Sequence, residues 1–458
     1  MRLQKVEVEG LFGIYDYSIN LFTGDNITII DAPNGMGKTT VLKLIKASVE
    51  GELTVLDSIP FKRFRLEFDN EQIIEVKKKD IFKSIFDIDL VRLRNTVTHC
   101  DNQEHLFDNI VYLINSEKYT FSLQRDFVMM FTRRYMTPRG MGVSGEYVDR
   151  HKLIDLLEED KLLRNDIFEA EELYEALRKY TKSLNIYFIK ANRLYKNPTE
   201  QMGRRRGMEH KEAISSVALY RNELKEMIMS AGRKYADESE KLDRTFPKRV
   251  IEGILCEREI EVYEFEQINS MLRELETNRS ELATLGLITE SADSLINIPD
   301  KNELTRETRI FLSNYIDDNI IKLDIYKDLA HKLDVLRDIV NERNGFSDKE
   351  MRFSAKEGVI FRTKSGKEIP IEKLSSGEKN NFVLFYELIF KCARHSLILV
   401  DEPEISLHVS WQQEFVNELI EICNMKGMQG IVATHSPSIV HNHWDLLVDL
   451  EGDDTNEE

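Results

Sequence analysis

The sequence predicts an α/β domain assembled from the two ends of the chain and split by a large, mostly helical insertion. Three observations point there. Short strand-like runs and a glycine-containing loop occupy residues 1–80. Residues 81–350 change in texture to long, charged, helix-forming stretches, and short apolar strands return over residues 351–458. Those three ranges are the expected N-terminal lobe, insertion and C-terminal lobe. At 458 residues the chain holds roughly two to four domains' worth of sequence. Its 41% hydrophobic content suffices for a core beneath a surface carrying most of the 31% charged residues.

Several classes are excluded by the same reading. No apolar run approaches the ~18 residues that would span a bilayer, and MRLQKVEVEGLFG lacks the order of a signal peptide. Cys100, Cys256, Cys392 and Cys423 form no CxxC pair. This argues against a zinc ribbon or disulfide scaffold and leads to the expectation of a reducing, cytoplasmic location. The net charge of −18 argues against a chain that grips duplex DNA mainly by neutralising phosphates. The acidic end, EGDDTNEE, reads as a solvated tail.

Taken in order, LQKVEVEG and NITIID read as strands, and TTVLKLIKASVE as the helix after the second. RFRLEFD and QIIEVKK alternate as a two-stranded ribbon around a DNE turn. NIYFIKANRLY (185–195) is a strand-like island, followed by a polar loop, NPTEQMGRRRGMEH (197–210). Arg204, Arg205 and Arg206 there form the densest basic run, readable as a solvated loop or as a patch for an acidic partner. Two helical stripes follow: Ile268, Leu272, Leu275, Leu282 and Leu285, then Leu329, Leu333, Leu336 and Val340. They suggest an antiparallel hairpin, or else an arm that contacts another subunit. MRFSA, GVIFRT and KEIPIEKL read as strands, NNFVLFYELIF as a helix, and SLILVD and GIVATH as buried strands with a helix between them.

The chemistry concentrates at two strand ends. APNGMGKTT (32–40) lies between a strand and a helix, where backbone N–H groups around Gly35 and Gly37 would cradle phosphate oxygens. The expected nucleotide-binding set is Asn34, Gly35, Met36, Gly37, Lys38, Thr39 and Thr40. Lys38 would reach the β- and γ-phosphates of ATP and Thr39 would bind Mg²⁺. Ala32 stands where the motif usually has its first glycine. Downstream, SLILVDEP places Asp401 to hold the Mg²⁺ shell and Glu402 to act as general base.

With those motifs in place, LSSGEKN (374–380) resembles the signature segment of ABC-type ATPases, and the chain resembles an ABC-type P-loop ATPase head split by an insertion. The resemblance implies that Ser375, Ser376, Gly377 and Glu378 face the γ-phosphate of ATP held by a second subunit. It implies that PEISLH (403–408) is the loop crossing a dimer interface, that His435 in THSP contacts the γ-phosphate, and that Asn192 stands in place of a glutamine that positions metal-bound water. Longer strings, among them LSSGEKNNFVLFYELIF and DEPEISLHVSWQQEF, resemble the stand-alone ATPases of the PARIS and Septu phage-defence systems. That narrower likeness implies a homodimer or higher homo-oligomer, up to a hexamer. It also implies a separately encoded nuclease effector of the Toprim or HNH kind, released on detection of a phage-encoded trigger protein. The alternative is an SMC-like DNA-repair or maintenance ATPase that clamps DNA. A nuclease in its own right is disfavoured, because no acidic or histidine cluster stands apart from the ATPase set.

Overall fold

The computed structural model describes residues 1–21, 26–82, 109–119, 122–123, 168–182, 184–196, 214–255, 262–289, 304–344, 349–405 and 407–450. Cys100, Cys256, the Arg204–Arg206 run and the acidic tail lie outside them. The chain divides into two compact units, 1–213 with 391–458, and 214–390.

The first unit holds two sheets with a helix between them. Strands β1 (Leu3–Leu11), β2 (Tyr15–Asn20), β4 (Arg63–Phe68), β5 (Ile73–Lys78), β6 (Ile110–Ile114) and β7 (Glu117–Tyr119) form an antiparallel sheet in the order β2-β1-β4-β5-β6-β7. The ribbon read from sequence is β4 paired with β5, with Arg63 opposite Lys77 and Glu67 opposite Ile73. Strands β6 and β7 were not foreseen. Ile110, Tyr112 and Ile114 alternate inward within a charged stretch too short to declare its period. A small ribbon pairs β8 (Ser122–Leu123) with β9 (Phe168–Glu169).

The second sheet is parallel: β10 (Ile186–Ile189), β16 (Leu397–Asp401), β17 (Gln429–Thr434), β3 (Ile27–Asp31) and β18 (Leu447–Asp449), in that order. Every residue of β16 and β17 is buried, as strands covered on both faces require. One face is covered by α1 (Lys38–Glu50), whose Val41, Leu42, Leu44 and Ile45 are fully buried, at about 1.5–3 kcal/mol each. The same cluster takes in Leu53 of α2 (Leu53–Ser58), Leu173 and Leu177 of α3 (Glu171–Thr181), and the antiparallel sheet. On β17 lies α9 (Val409–Lys426), burying Phe415, Val416, Leu419 and Ile422. A single turn, α10 (Pro437–Val440), packs on α9. Register places Asp401 beside Ala433 and Thr434 beside Asp31. Three strands therefore end together on the edge where such sheets bind ligands. The unit's last short strand is β11 (Tyr195–Lys196).

The second unit opens with β12 (Ile214–Ser215) and α4 (Ser216–Leu255). It continues through α5 (Phe265–Thr284), α6 (Arg306–Asp324) and α7 (Lys327–Asn344) to a meander, β13 (Lys349–Ser354), β14 (Gly358–Thr363) and β15 (Glu368–Ile369), and ends with α8 (Ser376–Tyr386). The striped helices α5 and α7 do bury their apolar residues, but not as a simple hairpin. The helix α6 comes between them, packing against both α4 and α5, while α7 packs on β13 and α8. Its pattern was illegible because it buries polar groups with apolar ones. Asp318 accepts two bonds from Arg249 at 2.7 and 2.6 Å, and Asn319 accepts one from Arg279 at 2.5 Å. No helix among the described residues is long and apolar enough to cross a membrane.

Candidate active site

The loop between β3 and α1 is shaped by two left-handed glycines, Gly35 at φ 93° and Gly37 at φ 90°. A Cβ at Gly37 would lie 2.8 Å from Leu11 Cδ2 and 3.2 Å from Phe12 Cε2, so both conformation and space require glycine there. Gly35 has open space around it, and only its backbone angle is demanding. Tyr17, a buried residue of β2, donates its hydroxyl to the Met36 carbonyl at 2.8 Å and so anchors the loop from the antiparallel sheet. Gly37 caps α1 without any side-chain bond, which leaves the first helical N–H groups aimed at the loop. The Lys38 ammonium donates to the carbonyls of Ala32 and, at 3.2 Å, Pro33. Ala32 is buried and fills the place of the usual glycine without disturbing the turn.

Asp401 closes the other side. Its Oδ1 accepts the Thr39 hydroxyl at 2.7 Å, joining residues 362 apart in sequence. Burial pushes the Asp401 carboxyl above the usual carboxylate range. The Thr39 bond opposes this, the charges of Glu402 and Glu404 add to it, and Lys43 opposes it. Asp31 is raised likewise by burial and by Asp449, against the pull of Lys38 and His435. Glu402 is left-handed, at φ 44°, and its N–H donates to the Ala433 carbonyl at 2.9 Å.

Two loops meet beside it. Glu404 is 7% exposed, and its Oε1 accepts the Thr434 hydroxyl at 2.8 Å and the His435 N–H at 3.0 Å. The same oxygen lies 3.0 Å from His435 Nδ1, on a ring that remains largely open to solvent. Ser436 donates its hydroxyl to Gln412 Oε1 at 2.8 Å, and Gln412 donates to the Leu407 carbonyl at 3.1 Å. Asn192 is exposed on the loop after β10. Its neighbour Arg193, which is buried, donates from Nη2 to the Pro403 carbonyl at 3.0 Å. Tyr17, Arg193, Glu404 and Gln412 were missed by sequence reasoning. Only Glu404, inside the DEPE string, had any local signal.

The signature segment belongs to the second unit. Ser375 caps α8, its hydroxyl accepting the Glu378 N–H at 3.2 Å while Glu378 Oε2 accepts the Ser375 N–H at 2.7 Å. Ser375 and Ser376 are exposed, and Gly377 half-buried. Glu378 is turned inward: it is 4% exposed and takes the Lys349 ammonium on both oxygens at 2.8 Å. Its carboxylate is therefore committed to the helix start and to Lys349.

Thr39 and Asp401 offer a hydroxyl and a carboxylate at one point, a donor set suited to Mg²⁺, which binds few protein oxygens and keeps several waters. Among the described residues no group of three or more His, Cys, Asp or Glu could hold a metal ion.

A strand, a left-handed glycine loop, an uncapped helix start and a neighbouring strand ending in Asp-Glu define an α/β P-loop ATPase head, here interrupted by a large helical insertion. Residues 1–440 match the family described as AAA ATPase domain, and the chain belongs to that family. It binds and hydrolyses ATP. Comparison with curated proteins gave no match. Solved structures similar to it include an SmcHead bound to the C-winged helix domain of ScpA, with 11% identity, 96% of this chain and 92% of that one covered, and a TM-score of 0.38. The SMC head domain from Thermotoga maritima gives 13%, 98%, 94% and 0.34. An Smc head domain with an extended coiled coil from Pyrococcus furiosus, bound to the C-terminal domain of ScpA, gives 12%, 96%, 91% and 0.33. The partner expectation is corrected here. The partner named in two of these structures is a domain of ScpA, not a Toprim or HNH nuclease or a phage-encoded trigger.

Proposed function

We propose that this chain is an SMC-like ATPase of DNA repair or maintenance, whose ATP cycle opens and closes a grip on DNA. One observation carries the reading: β3 of the N-terminal lobe lies between β17 and β18 of the C-terminal lobe. The insertion thus leaves and re-enters a single nucleotide-binding sheet, so a change at the phosphates acts on both of its roots. Lys38 and the loop N–H groups hold the phosphates, and Thr39 and Asp401 hold Mg²⁺, which when bound neutralises phosphate charge. Glu402 accepts the proton of the attacking water, and His435 donates toward the γ-phosphate. Phe12, partly exposed beside Gly37, supplies an apolar face for the adenine.

The test is ATP turnover with and without linear duplex DNA, repeated as salt is raised. Stimulation that falls steeply with salt supports the grip on DNA; turnover indifferent to duplex at low salt removes it. The net charge of −18 makes such a contact a local patch rather than a whole surface. A phage-defence role is a second reading, favoured only by the longer strings such as DEPEISLHVSWQQEF. Deleting the gene and measuring phage plaquing against ultraviolet survival separates the two. A partner domain like the ScpA domains bound to the similar heads is the first to try in co-purification.

A further inference from the structure

We infer that Glu404 is a positioning residue for ATP hydrolysis, holding the His435 ring so that its Nε2 edge presents a proton to the γ-phosphate. This rests on the ATPase reading of the site and deepens it. Glu404 sits two residues beyond Glu402, on the turn that closes with the Ile405 N–H donating to the Glu402 carbonyl at 3.2 Å. Its side chain does not follow the turn outward. It reaches back to the end of β17, where Oε1 accepts the Thr434 hydroxyl and the His435 N–H and lies 3.0 Å from His435 Nδ1. Oε2 is also buried and meets no donor among the described residues, so all of this carboxylate's bonding runs through the one oxygen.

A buried carboxylate is costly unless it is bonded, and a plain loop brace would need only the first two donors. The close approach to Nδ1 is what sets this arrangement apart. A carboxylate oxygen 3.0 Å from Nδ1 is placed to hold that edge of the ring, and Nε2 lies on the opposite edge. That approach restrains the ring, which is 43% exposed and would otherwise turn freely about χ1 and χ2. Glu404 touches neither nucleotide nor water in this scheme and acts only through His435.

The experiment is a double-mutant cycle in the full chain: wild type, Glu404→Gln, His435→Ala and the double variant, each read for kcat, KM for ATP and melting temperature. Glutamine keeps an oxygen for Thr434 and for the His435 N–H while removing the charge. Glu404→Gln is expected to lower kcat by roughly 10- to 100-fold, as loss of an imidazole's orienting partner does, with KM within about threefold. In the His435→Ala background the same change should cost nothing further. An equal fold-loss in both backgrounds would overturn the inference and leave Glu404 a brace of the fold, as would an unchanged kcat or an effect confined to KM. If Glu404→Gln does not fold, Glu404→Asp keeps the charge but withdraws the oxygen by one methylene, and the same cycle applies. Wild-type turnover in the same series tests the ATPase reading separately.

Discussion

Replacing Glu402 by glutamine isolates one chemical property of the site. The backbone at 402 is left-handed and is held by its N–H on the Ala433 carbonyl at 2.9 Å. The next residue is pinned by Arg193 on the Pro403 carbonyl at 3.0 Å. Glutamine leaves both bonds in place, and the left-handed cost of about 1–2 kcal/mol is the same for either side chain. The variant should therefore melt with the wild type, within about 0.5 kcal/mol. What disappears is the capacity to accept a proton, which typically costs 10²–10⁴ in rate, about 3–5 kcal/mol of barrier. Steady-state phosphate release on the full chain, beside equilibrium ATP binding, should give a rate lower by that factor and an affinity within about threefold. Lys38→Ala should instead fail at the binding step, because its ammonium is the loop's own cation. A Glu402→Gln chain that turns over within about tenfold of wild type, or that loses ATP binding in parallel, would refute the assignment of Glu402 as base.

Other outcomes follow from particular contacts. Tyr17→Phe removes the hydroxyl that anchors Met36, a bond worth about 1 kcal/mol. Burial, with Tyr15 beside it, pushes this phenol up to about 12, so it remains a donor at any working pH. KM for ATP should rise a few-fold with little change in kcat. Asp401 has a carboxyl raised by burial, so protons compete with Mg²⁺ already above the usual carboxylate range. Mg²⁺-dependent ATP binding should weaken as pH falls toward that raised value. Stability runs the opposite way, the Asp401 contribution being full below its unfolded value and lost as pH rises through the folded one. Asp401→Asn should abolish both trends in parallel titrations of binding and melting. Glu378 is pushed up by burial but drawn further down by Lys349 and the Ser375 N–H, so its net position is below the ordinary value. Its contribution is present above the unfolded value and lost as pH falls through the lowered one. Glu378→Gln should cost about 1–3 kcal/mol in denaturant unfolding near neutral pH, and the difference from wild type should shrink in acid. A gap that holds constant with pH would remove the charge from the explanation.

By itself, the sequence determined the local machinery. A strand, two glycines with positive φ and a helix that starts at Lys38 follow one another directly in the sequence, because each depends on backbone angles set within a turn or two. The fully buried LILVD strand was legible for the same reason. The tertiary structure decided what those pieces do together. Thr39 reaches Asp401 across 362 residues of sequence, Arg193 reaches Pro403 across 210, and Tyr17 crosses from the other sheet to Met36. None of these has a periodic or spacing signal; the Thr39 bond, for one, exists only once β17 has paired between β16 and β3. Helix α6 and strands β6 and β7 escaped notice because their burial is satisfied by distant partners: Asp318 by Arg249, Tyr112 by the core around α1. Glu404 shows the division most clearly. As a letter it is one more acidic residue in a chain with 81 of them, and only its burial against Thr434 and His435 gives that carboxylate a use.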